Sequence, residues 1–119
     1  MKSLTWNLVG QVNEGARQGP VYRLEADYEF GAVYLYAGTA PTGRNLIVDI
    51  KKDGVSIFDT LKPSLGIGAI EDYYAAPLNT LTSLAEGSVL TLDVSAVGNG
   101  EPGRDVTVQL DLELLAEAI

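Results

Sequence analysis

Apolar residues in this chain recur at every second position rather than at the three-to-four spacing of a helix. Val106, Val108, Leu110, Leu112 and Leu114 alternate with Thr107, Gln109, Asp111 and Glu113. Leu90, Leu92 and Val94 alternate in the same way with Thr91, Asp93 and Ser95. Leu46, Val48 and Ile50 share a face whose opposite side turns polar at Asp49 and Lys51. Successive side chains of a strand point to opposite sides of its sheet. Strict alternation therefore marks half-buried strands, and favours antiparallel pairing. Strands are expected at 4–9, 21–26, 32–37, 46–51, 56–59, 89–97 and 106–115. An eighth is expected between Tyr73 and Leu84, where Thr80 and Thr82 alternate with leucines.

The residues between these runs agree. Lys52-Asp53-Gly54-Val55 places Asp-Gly between two apolar segments, and both residues tolerate the positive φ of a tight hairpin. Further breaks fall at 13–20, 39–45, 62–68, 86–87 and 98–104. The one helical candidate, Leu115-Ala116-Glu117-Ala118-Ile119, is too short to hold alone. Seven or eight short strands with turns at this spacing describe an all-β antiparallel sandwich or barrel.

Composition narrows the chemistry. With 119 residues, 46% of them hydrophobic, the chain is expected to form one domain, 1–119, around one core. It contains no Cys and no His, which excludes disulfides, thiolate nucleophiles and Cys-ligated zinc. The same absence removes the commonest general base and metal ligand. Eight basic against sixteen acidic residues leave a charge of −8, the wrong sign for phosphate backbones or anionic lipid. Neither nucleic acid nor membrane is therefore an expected partner. No apolar run approaches the ~20 residues of a spanning helix. Met1-Lys2-Ser3 leads into no signal-peptide core.

Candidate sites are few. Gly66-Ile67-Gly68 lacks the remaining residues of a phosphate loop and reads as a turn. Asn99, Glu101 and Asp105 crowd one loop without the spacing of a calcium loop, so no cofactor or metal is expected. Asp49, Asp93, Asp111 and Glu113 occupy outward strand positions, where solubility and edge protection are the expected roles. Pairing two of them as a glycosidase acid and base needs a separation that the sequence does not supply. Arg17, Arg23, Arg44 and Arg104 are scattered, and suit ion pairs with an acidic neighbouring subunit.

The aromatic residues are the stronger signal. Tyr34 and Tyr36 share the face opposite Val33 and Leu35. Tyr28, Phe30, Tyr73 and Tyr74 fall in or near expected connections. Exposed tyrosines can anchor a protein interface or stack on sugar rings. Trp6 alternates with Leu4 and Leu8, and reads either as core or as an apolar edge seeking a partner. Leu115 and Ile119 at the end of the chain are apolar enough to seek one as well.

The segment from Thr39 to Phe58, which carries Thr42-Gly43-Arg44-Asn45-Leu46-Ile47-Val48-Asp49-Ile50 and the Asp53-Gly54 hairpin, resembles a recurring module of tailed-bacteriophage structural proteins. The resemblance continues through Lys62-Pro63-Ser64, Gly66 to Ala69, and Glu86-Gly87-Ser88-Val89-Leu90-Thr91-Leu92-Asp93-Val94. It closes with the Gly-Pro loop and Asp105-Val106-Thr107-Val108-Gln109-Leu110. Two parts depart from it: the first thirty residues, and Asp72-Tyr73-Tyr74-Ala75-Ala76, where the module is commonly small and polar.

The resemblance implies a jelly-roll-like β-sandwich in a virion component, made in the host cytoplasm. Such modules occur in capsid decoration or cement proteins, in tail and baseplate proteins, and in fibres that contact host saccharide. The chain opens with Met1 and stops soon after the last strand, so the module is expected to stand alone. That favours a non-enzymatic decoration protein bound to the major capsid protein on the capsid surface. The expected interface residues are Trp6, Tyr34, Tyr36, Tyr73, Tyr74, Leu115 and Ile119, with 1–13 as an N-terminal arm and 115–119 as a C-terminal interaction tail. Local threefold positions on a shell favour closed rings, so a homotrimer is expected.

Overall fold

The computed structural model describes residues 2–58, 62–74 and 83–114. The strongest alternating segment, Arg104–Leu114, lies at the centre of the first sheet as β10. On one side it pairs antiparallel with β1 (Lys2–Gln11), setting Leu4 opposite Leu110 and Trp6 opposite Val108. On the other it pairs with β3 (Tyr28–Thr39), setting Val108 opposite Leu35 and Leu110 opposite Val33. Three alternating strands in this register place their large aliphatic residues, Val9 apart, on one face, and a slip of one residue would turn each set outward. β7 (Glu71–Tyr74) and β8 (Ser83–Leu84) complete the sheet, both against β3.

The second sheet follows the same rule. β9 (Val89–Ala96) lies between β2 (Gly15–Arg23) and β4 (Leu46–Lys52), with Val48 opposite Val94 and Ile50 opposite Leu92. β5 (Val55–Ser56) and β6 (Ser64–Leu65) pair with β4. The orders are thus β1-β10-β3-β7 and β2-β9-β4-β5, antiparallel throughout, with no helix among the described residues. The inward faces meet in one core that includes Trp6, Leu35, Leu46, Ile50, Leu90, Leu92 and Leu110. Phe30 and Phe58 meet in it edge to face, 6.0 Å between ring centres.

Local chemistry explains the corners. Asp53 (φ 51°) and Gly54 (φ 86°) both take the positive φ that a two-residue hairpin between right-twisted strands requires. A bulge interrupts β10 and β3 between Leu110 and Leu112. It falls at Gly31, where a β carbon would collide with the Asp111 carbonyl. The edge formed by β1 and β2 is closed by side chains. The Trp6 indole N–H donates to the Pro20 carbonyl at 2.8 Å, and the Tyr22 hydroxyl to the Thr5 carbonyl at 2.6 Å. The two rings meet edge to face, 5.2 Å apart. Carbonyls that could recruit a foreign strand are thus taken within the chain.

Several sequence expectations need correction. Ten strands are present among the described residues rather than seven or eight. The expected break at 13–20 is largely strand. Arg17 (φ 54°) and Gly19 (φ 74°) bulge the edge strand β2 without ending it. The break at 62–68 contains β6, and Tyr28 and Phe30 belong to β3 with both rings buried. Trp6 is wholly buried, so the core alternative holds and it leaves the set of surface anchors. In the region of the eighth strand the structure has β7 and β8; Thr80 and Thr82 lie outside the described residues.

Replacing Leu110 by Ala removes a fully buried side chain between two paired strands and should cost about 2–5 kcal/mol. Tyr22→Phe removes one hydrogen bond and should cost about 1 kcal/mol. Urea unfolding of both variants checks this order; equal losses would contradict it.

Candidate functional site

The outer face of the first sheet is built by the residues that alternate with its core. Val33 and Leu35 fill the interior, so Tyr34 and Tyr36 must face outward. β7 sets Tyr73 opposite Tyr34 and Glu71 opposite Tyr36; β10 sets Gln109 opposite Tyr34 and Thr107 opposite Tyr36. Tyr73 is 58% exposed and Tyr36 40%. The Tyr34 hydroxyl donates to Glu71 Oε2 at 2.9 Å, which fixes the ring. That bond to the carboxylate, helped by desolvation, raises the Tyr34 phenol above its ordinary range, so it stays a donor near neutral pH.

The polar residues beside the tyrosines hold one another. Asp111 Oδ1 accepts from Ser3 Oγ at 2.8 Å and Gln109 Nε2 at 2.9 Å. Thr107 Oγ1 donates to Asn7 Oδ1 at 2.9 Å. The Ser3–Asp111 and Asn7–Thr107 links cross β1 and β10 and brace the strand that pairs with β3 beside the tyrosines. On the open edge of β7, Asp72 Oδ1 accepts the Tyr73 backbone N–H at 2.8 Å, occupying a group to which another strand could bond.

The outer face of the second sheet is different. Asp49 and Asp93 stand directly opposite each other across β4 and β9, 4% and 8% exposed, not solvated as outward strand positions would imply. Polar contacts come from the β2 bulge, from β5 and from Lys51. Ser56 Oγ donates to Asp49 Oδ1 at 2.6 Å. Asp93 Oδ1 accepts the Arg17 backbone N–H at 3.0 Å, while Oδ2 meets Lys51 Nζ at 2.9 Å. Burial pushes the Asp93 carboxyl up, but Lys51 and the Arg17 amide outweigh it, and the net shift is downward. A glycosidase acid must keep its proton near neutrality, and Asp93 loses its own below the usual carboxylate range. The shallow groove of about 450 Å³ above it, lined by Arg17, Val21, Lys51 and Thr91, has a settled ion pair as its floor.

The remaining candidates divide clearly. Glu101 is tied into its own loop, accepting from the Gly103 N–H at 3.2 Å and lying 3.6 Å from Arg104 Nε. Asp105 Oδ1 accepts the Gly10 N–H at 2.8 Å. Among the described residues no three acidic side chains come together to hold a metal ion. Arg44 pairs with Glu14 at 2.7 Å, so Arg44, like Arg104, meets a carboxylate of its own chain. Lys2 bonds Glu25 at 3.0 Å, and Glu25, which also accepts the Tyr28 hydroxyl, is pushed down to about 2.

Of the expected interface residues, the fold brings Tyr34, Tyr36 and Tyr73 together. Tyr74 lies in β7 opposite Val33, and Leu115 and Ile119 are outside the described residues. Glu71 and Gln109 were missed, because only the β3–β7 and β3–β10 registers place them beside the rings. Compared with family models, curated proteins and solved structures, the chain matches none.

Both lowered carboxylates, Asp93 and Glu25, favour the folded state above their unfolded pKa, and that advantage is lost as pH falls toward their folded values. Urea midpoints should therefore hold from pH 7 to about 5 and drop below about 4. Asp93→Asn should lower the midpoint at pH 7 and flatten the acid decline; an unchanged pH profile would contradict this assignment.

Proposed function

We propose that this protein is a non-enzymatic structural subunit of a tailed-bacteriophage virion, of the capsid decoration or cement kind, and that its sandwich is a jelly roll. The strand order carries the reading. β1 pairs with β10 and β2 with β9, and the orders β1-β10-β3-β7 and β2-β9-β4-β5 are compatible with an antiparallel ribbon wrapped across itself, which supports this reading. Jelly rolls of this kind recur in viral capsid proteins, although a fold alone does not fix a function. The resemblance of residues 41–110 to phage structural modules supplies the context that the topology lacks.

The mechanism is mechanical. A rigid sheet face adds contact area between neighbouring major capsid protein subunits, and a few aromatic anchors provide most of the binding free energy. The copies act as a homotrimer. Leu114, 59% exposed at the end of β10, leads into the apolar Leu115 and Ile119, which gives the C-terminal end a reason to pack against another copy. A second reading, a tail or fibre domain that holds host saccharide, draws on the tyrosine rings beside Gln109 and Glu71.

Co-expressed with the major capsid protein of its own genome, the chain should sediment with assembled shells at a fixed ratio. Shells lacking it should disassemble at a lower temperature. A chain that stays soluble beside intact shells would overturn the reading. Loss of glycan binding on Tyr34→Ala or Tyr36→Ala would favour the saccharide reading instead. Sedimentation velocity at micromolar concentration should give a trimer; a monomer would remove the self-association part.

A further inference from the structure

We infer that the tyrosine face of β3, β7 and β10 docks a basic surface of a protein partner, with Arg or Lys side chains laid on Tyr36 and Tyr73. This rests on the reading of the chain as a structural subunit, and names the chemistry of the contact. Outward positions of the first sheet carry Glu29, Glu71, Asp105, Asp111 and Glu113, four of them exposed and Asp111 half-buried. Glu29 and Glu113 face each other across β3 and β10. By the same alternation no Lys or Arg among the described residues stands on this face. Lys2 and Arg104 lie on the inward phase at strand ends and meet Glu25 and Glu101. A one-sign face that also carries exposed aromatic rings selects for the opposite charge.

The rings and the carboxylates fit the same ligand. A guanidinium or ammonium group over a tyrosine ring is attracted by its π-face, and Arg can reach a carboxylate with a second pair of N–H groups. Tyr73 and Tyr36 supply exposed rings, with Glu71 on the same face opposite Tyr36. Two features favour the face over the strand edge as the contact. Asp72 already occupies the Tyr73 N–H at the edge, and the Ser3–Asp111–Gln109 and Asn7–Thr107 links brace the strand beside the tyrosines, which lowers the ordering cost of binding. A neutral saccharide would use the rings and could hydrogen-bond single carboxylates, but would gain no Coulombic attraction from the face as a whole. The charge of −8 steers a basic partner toward the protein from a distance.

The test is a titration of the full ¹⁵N-labelled chain with a twelve-residue alternating Arg-Gly peptide, followed by amide shifts. The largest shifts should fall at 33–36, 71–73 and 107–109, and affinity should drop as salt rises. The double variant Tyr36→Ala/Tyr73→Ala should weaken binding roughly tenfold. Glu14→Gln, which makes the same charge change as Glu71→Gln away from this face, should leave affinity within about twofold while Glu71→Gln does not. Shifts spread evenly over both sheets, or affinity untouched by the tyrosine changes, would overturn the inference. So would a neutral hexasaccharide that shifts these amides where the peptide does not. Particle association without peptide binding would sink this inference alone; peptide binding without particle association would sink only the virion reading.

Discussion

One apolar stripe on β10 organises the molecule. Val106, Val108, Leu110 and Leu112 are at most 1% exposed, and they meet β1 on one side and β3 on the other. Because side chains alternate strictly along a strand, the register that buries this stripe also decides what faces water. Thr107, Gln109 and Asp111 are set outward by the same register that sets Tyr34 and Tyr36 outward on β3. The tyrosine face is thus the reverse side of the core: filling the interior with Val33 and Leu35 leaves those two rings no other place.

Polar groups away from the core are tied into the same framework. Trp6 and Tyr22 occupy carbonyls between β1 and β2, and Asp72 occupies an amide on β7. On the second sheet, the opposed Asp49 and Asp93 would repel each other if bare. Ser56, Lys51 and the Arg17 amide offset that repulsion, and in doing so they hold the β2 bulge in place. Single edge groups on β1, β2 and β7 and the opposed aspartates of the second sheet are therefore satisfied within the chain. The first sheet's outer face, by contrast, presents exposed tyrosines among acidic residues.

Much of this was legible in the sequence, for reasons specific to each element. The long alternating runs of β4, β9 and β10 mark strands by their period of two, and Asp53-Gly54 announces its turn by residue type alone. The first part of β2 was not legible, since Arg17 and Gly19 look like loop residues until Asp93, seventy-six positions away, is seen to accept the Arg17 N–H. The two-residue β6 is too short to show a period. Tyr34 and Tyr36 could be placed on one face from β3 itself. Their neighbours Tyr73, Glu71 and Gln109 come from strands distant in the chain, and only the pairing registers bring them together. The burial of Asp49 and Asp93 was equally hidden, because period two says which side of a sheet a residue faces, not whether another segment covers that side.

Cryo-electron microscopy of intact particles that carry the protein tests the central claim, that this chain works by presenting its braced tyrosine face to a virion shell. The account predicts density on the outside of the head, with β3, β7 and β10 turned toward basic side chains of the capsid subunits. Density confined to the tail tip, or copies on the head with Tyr36 and Tyr73 pointing into solvent, would contradict it.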